Sequence, residues 1–158
     1  MENMVSCIHT YMTVIGMISI SEDGEGNITG VYLPNYNLPV MEDQSTEALD
    51  EAAAQIEEYF SGERKGFDLP IVYNGTEFQE LVWKELLSIP YGRTMTYSEV
   101  AASIGRENSY RAVGGACGAN PLPIIIPCHR VISAGKTTVG YAGGSILKRR
   151  LLDLESGE

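Results

Sequence analysis

The chain has 158 residues, of which 44% are hydrophobic, so it can form one globular domain or two small ones around a buried core. Its formal net charge of −10 argues against a nucleic-acid-binding surface over the whole molecule, because such binding depends on basic groups that displace counterions from phosphates. The charge is uneven, however. Residues 1–77 contain 14 acidic and 2 basic residues, net −12, whereas residues 78–158 contain 7 acidic and 9 basic residues, net +2. Any contact with nucleic acid is therefore expected in the second half.

The three cysteines, Cys7, Cys117 and Cys128, are an odd number at irregular spacing. They do not form a disulfide framework, which favours a reducing, cytoplasmic location. The only histidines are His9 and His129, so a four-ligand zinc site would have to recruit carboxylates. No metal site is expected.

The uncharged stretch 3–21 is long enough to raise the question of a membrane span. Polar residues are scattered through it and no basic residue precedes it, so no membrane association is expected. Its β-branched and aromatic residues instead predict a long strand or a hairpin arm. Residues 22–27 then predict a turn, and residues 28–33 a returning strand.

Hydrophobic residues recur at steps of three and four between Ser45 and Gly62, which predicts a helix that Gly62 ends. Residues 68–73 predict one more short strand. Residues 1–75 are thus interpreted as an acidic domain with a small sheet and one helix. They contain no catalytic constellation, so their role is expected to be structural.

Two capping boxes mark helix starts in the second half, Thr76 with Gln79 and Thr96 with Glu99. They predict one helix to about Ser88 and another over residues 97–104. A third helix is expected over residues 109–119.

The last predicted helix covers residues 145–154. Its apolar side chains are expected in the core and its basic ones outward: Ile146, Leu147, Leu151, Leu152 and Leu154 inward, and Lys148, Arg149 and Arg150 toward solvent. Residues 76–158 are therefore interpreted as a second, mostly helical domain. The whole chain belongs to the α+β class.

The helices 97–104 and 109–119, joined by a short turn, have the outline of a helix-turn-helix. One surface of the second helix has almost no side chains, because it contains Ala112, Gly114, Gly115, Ala116 and Gly118. Such a smooth surface fits either tight packing against another helix or insertion into a narrow groove. The residues alone leave both open.

Cys128 and His129 follow a buried apolar run and Pro127. A thiol reacts only as thiolate, and burial disfavours that form, so a base must take the proton. His129 is the obvious base. Adjacent side chains of an extended strand point apart, so the pair requires a turn, for which Pro127 is suited, or a bridging water. A carboxylate from elsewhere would orient the imidazole ring.

The stretch Arg111–Ile132, with its core Pro-Cys-His-Arg-Val, strongly resembles the active-site region of the O6-alkylguanine-DNA alkyltransferases. The similarity extends from about Phe78 to Glu155. It implies a small sheet-helix domain followed by a helical, DNA-binding domain. It also implies direct, irreversible transfer of the alkyl group from O6-alkylguanine in double-stranded DNA to Cys128, with O4-alkylthymine as a further candidate substrate. Each monomeric molecule would act once and without a cofactor.

The resemblance assigns several residues to DNA binding. The smooth helix would lie in the minor groove, and Arg111 would enter the base stack in place of the flipped nucleotide. Tyr97 would contact the phosphate of the target nucleotide sterically and help to rotate that nucleotide out of the duplex. Gly118 departs from the pattern, because some relatives have a basic residue there. The DNA-binding set is Tyr97, Arg111, Ala112, Gly114 and Gly115.

The resemblance also assigns the reaction site. Asn120 would tie the recognition helix to the active-site loop, Glu155 would orient His129, and the hydroxyl of Tyr141 would contact the purine. The substrate pocket would be lined by Pro123, Val131, Tyr141, Ala142 and Gly143.

Two other functions are open. A helix-turn-helix protein could bind alkylated DNA without repairing it, although relatives of that kind lack the cysteine that Cys128 supplies here. A cysteine hydrolase could use Cys128 and His129 on an acyl substrate, and it would differ by turning over many times.

Overall fold

The computed structural model describes residues 6–135, 141 and 143–157. The chain divides into two compact units, Met1–Tyr73 and Asn74–Glu158. Within the described part of the chain, none of the helices combines the length and the apolar character needed to cross a bilayer.

The first unit contains a four-stranded sheet with the order β3-β2-β1-β4. Its elements are β1 Cys7–Thr13, β2 Gly16–Glu22, β3 Ile28–Tyr32, β4 Glu42–Asp43 and the helix α1 Glu47–Phe60. The uncharged stretch that predicted one long strand or hairpin arm forms both arms of a hairpin, since β1 and β2 pair antiparallel from Cys7↔Glu22 to Thr13↔Gly16. Gly16 has φ +113°, a conformation that a side chain would strain.

Helix α1 begins at Thr46, whose hydroxyl accepts a hydrogen bond from the Leu49 amide at 3.1 Å. It ends at Ser61 and Gly62, and Gly62 has φ +84°. The predicted helix and its stop are therefore confirmed. Its buried face, which includes Leu49 and Ile56, packs against the sheet.

The predicted strand over residues 68–73 is wrong. The segment makes a single bridge, Ile28↔Ile71. Within it, the Pro70 carbonyl accepts from the Ile28 amide at 2.8 Å and the Val72 amide donates to the Ile28 carbonyl at 3.0 Å. Pro70 has no N–H, so it cannot donate the next hydrogen bond that would extend the pairing toward residue 68.

The second unit consists mainly of helices. Its elements are α2 Glu77–Leu86, β5 Met95–Thr96, α3 Tyr97–Ser103, α4 Tyr110–Gly118, a 3-10 turn at Cys128–Arg130, β6 Val131–Ile132 and α5 Ser145–Ser156. Both predicted capping boxes are present. The hydroxyls of Thr76 and Thr96 accept hydrogen bonds from the backbone amides of Gln79 and Glu99. The side chains of Gln79 and Glu99 in turn accept hydrogen bonds from the backbone amides of the two threonines.

A short parallel pair connects the elements around Cys128. Met95 pairs with Val131 and Thr96 pairs with Ile132. Because Thr96 also caps α3, the pairing fixes the start of α3 beside the turn that carries Cys128.

The predicted orientation of the last helix is partly wrong. Ile146, expected in the core, is 78% exposed, whereas Lys148, expected outward, is fully buried. The buried face of α5 contains Leu147, Lys148, Leu151 and Glu155. The helix is thus rotated so that two ionisable side chains face the interior.

Candidate active site

Cys128 opens the 3-10 turn and is 5% exposed. The turn supplies the change of direction that the sequence required at Pro127, and the Val131 amide closes it by donating to the Cys128 carbonyl. Cys128 and His129 are therefore held on one tight turn, and both side chains are buried.

Asn120 lies just after α4 and bonds to the loop that leads to Cys128. Its amide nitrogen donates to the Ile126 carbonyl at 2.8 Å and to the Cys128 sulfur at 3.2 Å. Its amide oxygen accepts from the Leu122 backbone at 2.9 Å. One side chain thus connects the end of α4 with the reactive sulfur.

The same loop contains a strained residue. Ile124 has φ +77°, a region that β-branched residues rarely occupy and that costs about 1–3 kcal/mol. The bond from Asn120 to the Ile126 carbonyl and the bond from the Ile126 amide to the Leu122 carbonyl, at 2.7 Å, span this residue. They hold the loop in a conformation that the chain would not adopt by itself.

Glu155 is 7% exposed and accepts four hydrogen bonds, one of them from His129 Nε2 at 2.7 Å. Arg130 donates to it from Nε at 2.8 Å and from Nη2 at 2.9 Å, and Nη1 binds the Ile89 carbonyl at 2.6 Å. The Gly92 amide donates a further hydrogen bond to Glu155 at 3.3 Å, and the backbone of Gly92 is in the left-handed region, with φ +82°. A buried carboxylate with this many donors is stabilised as the anion.

Because the carboxylate only accepts hydrogen bonds, the imidazole proton of His129 is assigned to Nε2, and the lone pair to Nδ1. Burial lowers the pKa of His129, although the Glu155 carboxylate opposes this shift. His129 is therefore a neutral imidazole that can take a proton.

Lys148 has no exposed surface, and its ammonium donates to the Val131 carbonyl at 2.6 Å. The nitrogen also lies 5.7 Å from the centre of the Tyr97 ring, within cation–π distance. A positive charge is thus placed between the start of α3 and the Cys128 turn.

The protonated form of Cys128 is favoured at rest. Burial raises its pKa to about 11, although the Asn120 hydrogen bond and the Lys148 charge lower it. Burial and the neighbouring Cys128 raise the pKa of Cys117 to about 12. The pKa of Tyr97 is likewise raised to about 12 by burial, so its hydroxyl keeps a proton that it can donate.

One face of α4 is exposed. Val113, Ala116 and Cys117 are buried, and the Trp83 indole donates to the Ala116 carbonyl at 2.8 Å. The exposed positions of α4 and its C-cap carry small side chains apart from Tyr110 and Arg111 at the N-terminal end: Ala112, Gly115, Gly118 and Ala119. Gly114 is half-buried, and a Cβ there would meet the Tyr97 ring at 3.8 Å. Of the smooth surface predicted from the sequence, Ala112, Gly115 and Gly118 are therefore exposed, whereas Ala116 is buried.

The residues predicted to line the substrate pocket have different placements. Pro123, Val131 and Tyr141 are buried, and Gly143 is half-buried. Ala142 lies outside the described residues. Across the described ranges 6–135, 141 and 143–157, no group of three or more His, Cys, Asp or Glu side chains is arranged to hold a metal ion.

Sequence reasoning gave no role to Arg130 and Gly92, which bind Glu155, or to Lys148. A signal was available for Lys148. Its spacing of three from Leu151 and seven from Glu155 places all three on one helical face.

The raised pKa values predict a loss of stability at alkaline pH. The folded protein keeps the protons of Cys128, Cys117 and Tyr97 up to about pH 11–12, whereas the unfolded chain releases them near 9 and 10. The free energy of unfolding should be unaffected by these groups below about pH 9 and should fall as the pH rises from there toward 12. Urea unfolding at a series of pH values measures it.

A Cys117→Ala variant serves as the control, because it removes one of the three groups. Its free energy of unfolding should fall less steeply above pH 9 than that of the unaltered protein. Equal slopes would contradict the assignment of raised pKa values.

Two family profiles match this chain, one in each half, and both describe the same family. Residues 77–157 match the family profile described as 6-O-methylguanine DNA methyltransferase, DNA binding domain. Residues 7–73 match that of the 6-O-methylguanine DNA methyltransferase, ribonuclease-like domain.

A methylated-DNA--protein-cysteine methyltransferase of Methanosarcina barkeri is 55% identical over 105 residues, which are 66% of this chain and 66% of the relative. The match thus spans just under two thirds of that relative's length. The constitutive methylated-DNA--protein-cysteine methyltransferase of Bacillus subtilis is 41% identical over 154 residues, covering 92% of this chain and 93% of the relative.

The fold is also that of a solved relative. The crystal structure of Mycobacterium tuberculosis OGT in complex with DNA superposes with a TM-score of 0.90 at 40% identity, covering 96% of this chain and 93% of that one. The α+β class expected from the sequence is confirmed. By both its domains and its full-length relatives, the chain belongs to the 6-O-methylguanine DNA methyltransferase family.

Proposed function

We propose that the protein repairs DNA by transferring the alkyl group of O6-alkylguanine to the sulfur of Cys128, once per molecule. The observation that carries this proposal is the buried thiol of Cys128 beside the His129–Glu155 pair, whose oxygen and nitrogen lie 2.7 Å apart. Relatives that share the family are named for this activity. O4-alkylthymine is proposed as a second substrate.

The transfer is a single displacement at the alkyl carbon. The Cys128 sulfur forms a bond to that carbon while the bond from the carbon to guanine O6 breaks, and the electron pair of the broken bond stays on guanine. The thiol proton passes through a water to Nδ1 of His129, which Glu155 orients through Nε2. A hydroxyl of Tyr97 or Tyr141, or a water, neutralises the guanine with a proton.

The product is a thioether, which is a poor leaving group. Releasing it would require a second activated thiol, and Cys117 is unsuited because burial and the adjacent Cys128 raise its pKa to about 12. The protein is therefore used up by one reaction, which separates it from a cysteine hydrolase.

DNA binding is proposed for the exposed face of α4, with α3 and α4 acting as a helix-turn-helix. Arg111 is exposed at the start of α4 and can replace a flipped nucleotide in the base stack, while Ala112 and Gly115 leave room for the minor groove. Tyr97, half-buried beside Gly114, would contact the phosphate of the target.

The remaining roles are proposed from membership of the family. We infer that Pro123, Val131, Tyr141, Ala142 and Gly143 line the pocket for the flipped guanine. Residues 76–158 would bind DNA and react, and residues 1–75 would have a structural role. A reducing cytoplasm is proposed because all three cysteines are free thiols.

Mass spectrometry after incubation with a duplex containing one O6-methylguanine tests the proposed reaction. We expect one methyl group on the peptide containing Cys128, saturating at one per molecule. Cys128→Ala should remain unmodified, and Cys117→Ala should accept the methyl group like the unaltered protein.

A protein that retains the damaged duplex without being modified would overturn the repair function in favour of a lesion-binding module. Repeated product release without saturation would indicate a hydrolase.

Gly118→Arg should strengthen DNA binding. Gly118 is exposed, and a Cβ there would meet no atom within 4 Å, so a long side chain fits. One added phosphate contact should steepen the dependence of log affinity on log salt concentration by about 0.9. Fluorescence anisotropy with an undamaged duplex at several salt concentrations measures the slope.

Gly66→Arg is the matched control, since it adds the same charge at an equally open position of the first unit. It should leave the slope nearly unchanged. Equal effects of the two substitutions would refute the placement of DNA on α4.

A further inference from the structure

Lys148 is a buried cation that takes no part in the proposed transfer step. Its side chain has no exposed surface, and its nitrogen donates to the Val131 carbonyl at 2.6 Å. The Tyr97 ring centre lies 5.7 Å away. Burying an ammonium costs free energy unless a negative charge lies nearby, and groups buried at such cost cluster at functional sites.

Two successive bonds connect Lys148 to Cys128. The Val131 amide donates to the Cys128 carbonyl, and the Val131 carbonyl accepts from Lys148. The ammonium therefore holds the end of the turn that Cys128 begins. Burial lowers the pKa of Lys148 and raises that of Cys128. The charge of each group opposes this effect in the other, because the thiolate favours the ammonium and the ammonium favours the thiolate.

The charges around the thiol are unbalanced while it is protonated. Lys148 and Arg130 are cations, and Glu155 is an anion that Arg130 binds through two hydrogen bonds. Burial lowers the pKa of His129, which is neutral. Within the described part of the chain, these groups together carry a net charge of +1 with the thiol and none with the thiolate, and Lys148 is the cation that is not paired with Glu155.

The groups that face this site from other helices do not alter the balance. Tyr97 on α3 and Cys117 on α4 have pKa values raised to about 12 by burial, so both remain neutral at physiological pH.

We propose that Lys148 is a positioning residue of the transfer reaction, whose ammonium favours the thiolate of Cys128 and fixes through Val131 the turn on which that thiolate forms. The role in transfer rests on the proposed function. The effect on the thiol does not, because any alkylating agent can report it.

The test is the rate at which iodoacetamide alkylates Cys128 in the full chain without DNA, followed over a series of pH values by peptide mass spectrometry. The reaction forms the S–C bond and releases iodide from the thiolate, so the rate follows the thiolate fraction. In Lys148→Met the midpoint of the rate profile should rise by at least about one pH unit, which is a tenfold slower reaction below the midpoint. Lys148→Arg, which keeps the charge, should remain closer to the unaltered protein.

Arg149→Met is the matched control, since it removes one positive charge from the next, exposed position of α5. It should leave the midpoint unchanged. If Lys148→Met lowers the rate equally at every pH and keeps the midpoint, the proposal is wrong and Lys148 has only a structural role.

A reciprocal measurement covers the case in which Lys148→Met does not fold. Cys128→Asp places a permanent anion where the thiolate forms, so the pKa of Lys148, measured by NMR titration of its side chain, should be higher in Cys128→Asp than in Cys128→Ala. An equal pKa in the two proteins would overturn the proposal. If the alkylation midpoint depends on Lys148 but the protein accepts no methyl group from DNA, the effect of Lys148 on the thiol stands and the proposed repair function is wrong.

Discussion

The candidate active site depends on one buried carboxylate. Glu155 lies near the end of α5 and accepts hydrogen bonds from His129, from Arg130 twice and from the Gly92 backbone. A buried anion is tolerated only when donors of this number and charge surround it. The bond to His129 Nε2 also fixes the imidazole tautomer, so the carboxylate that the donors stabilise is the group that orients the base.

The other features of the second unit hold the reactive turn around this carboxylate. The β5–β6 pairing places the start of α3 beside the turn, and Asn120 connects the end of α4 to the Cys128 sulfur at 3.2 Å. Ile124 is strained at φ +77° between these anchors. Both ends of the α3–α4 pair are therefore connected to the thiol, so the DNA contact proposed for α4 would be mechanically linked to the reaction proposed for Cys128.

The sequence predicted the elements better than their orientations. Capping boxes at Thr76 and Thr96 are local patterns, so both helix starts were confirmed. The strand at residues 68–73 failed because the segment makes one bridge to a distant partner, Ile28, and Pro70 prevents extension of the pairing on one side. Lys148 is expected outward because a lysine is usually solvated, and its burial depends on tertiary contacts with the Val131 carbonyl and the Tyr97 ring. The position of Glu155 was inferred from family resemblance, since a carboxylate near a chain end gives no signal by itself.

The most direct test of this account is the single-turnover rate of Cys128 methylation in Glu155→Gln, measured on folded protein with saturating O6-methylguanine duplex. A glutamine keeps the size of the side chain but loses the charge that orients His129, and general-base catalysis contributes about 10²–10⁴-fold. We expect a rate at least about 100-fold below that of the unaltered protein, while Asp153→Asn on the same helix stays unaffected. A folded Glu155→Gln protein that transfers the methyl group at the unaltered rate would contradict the account.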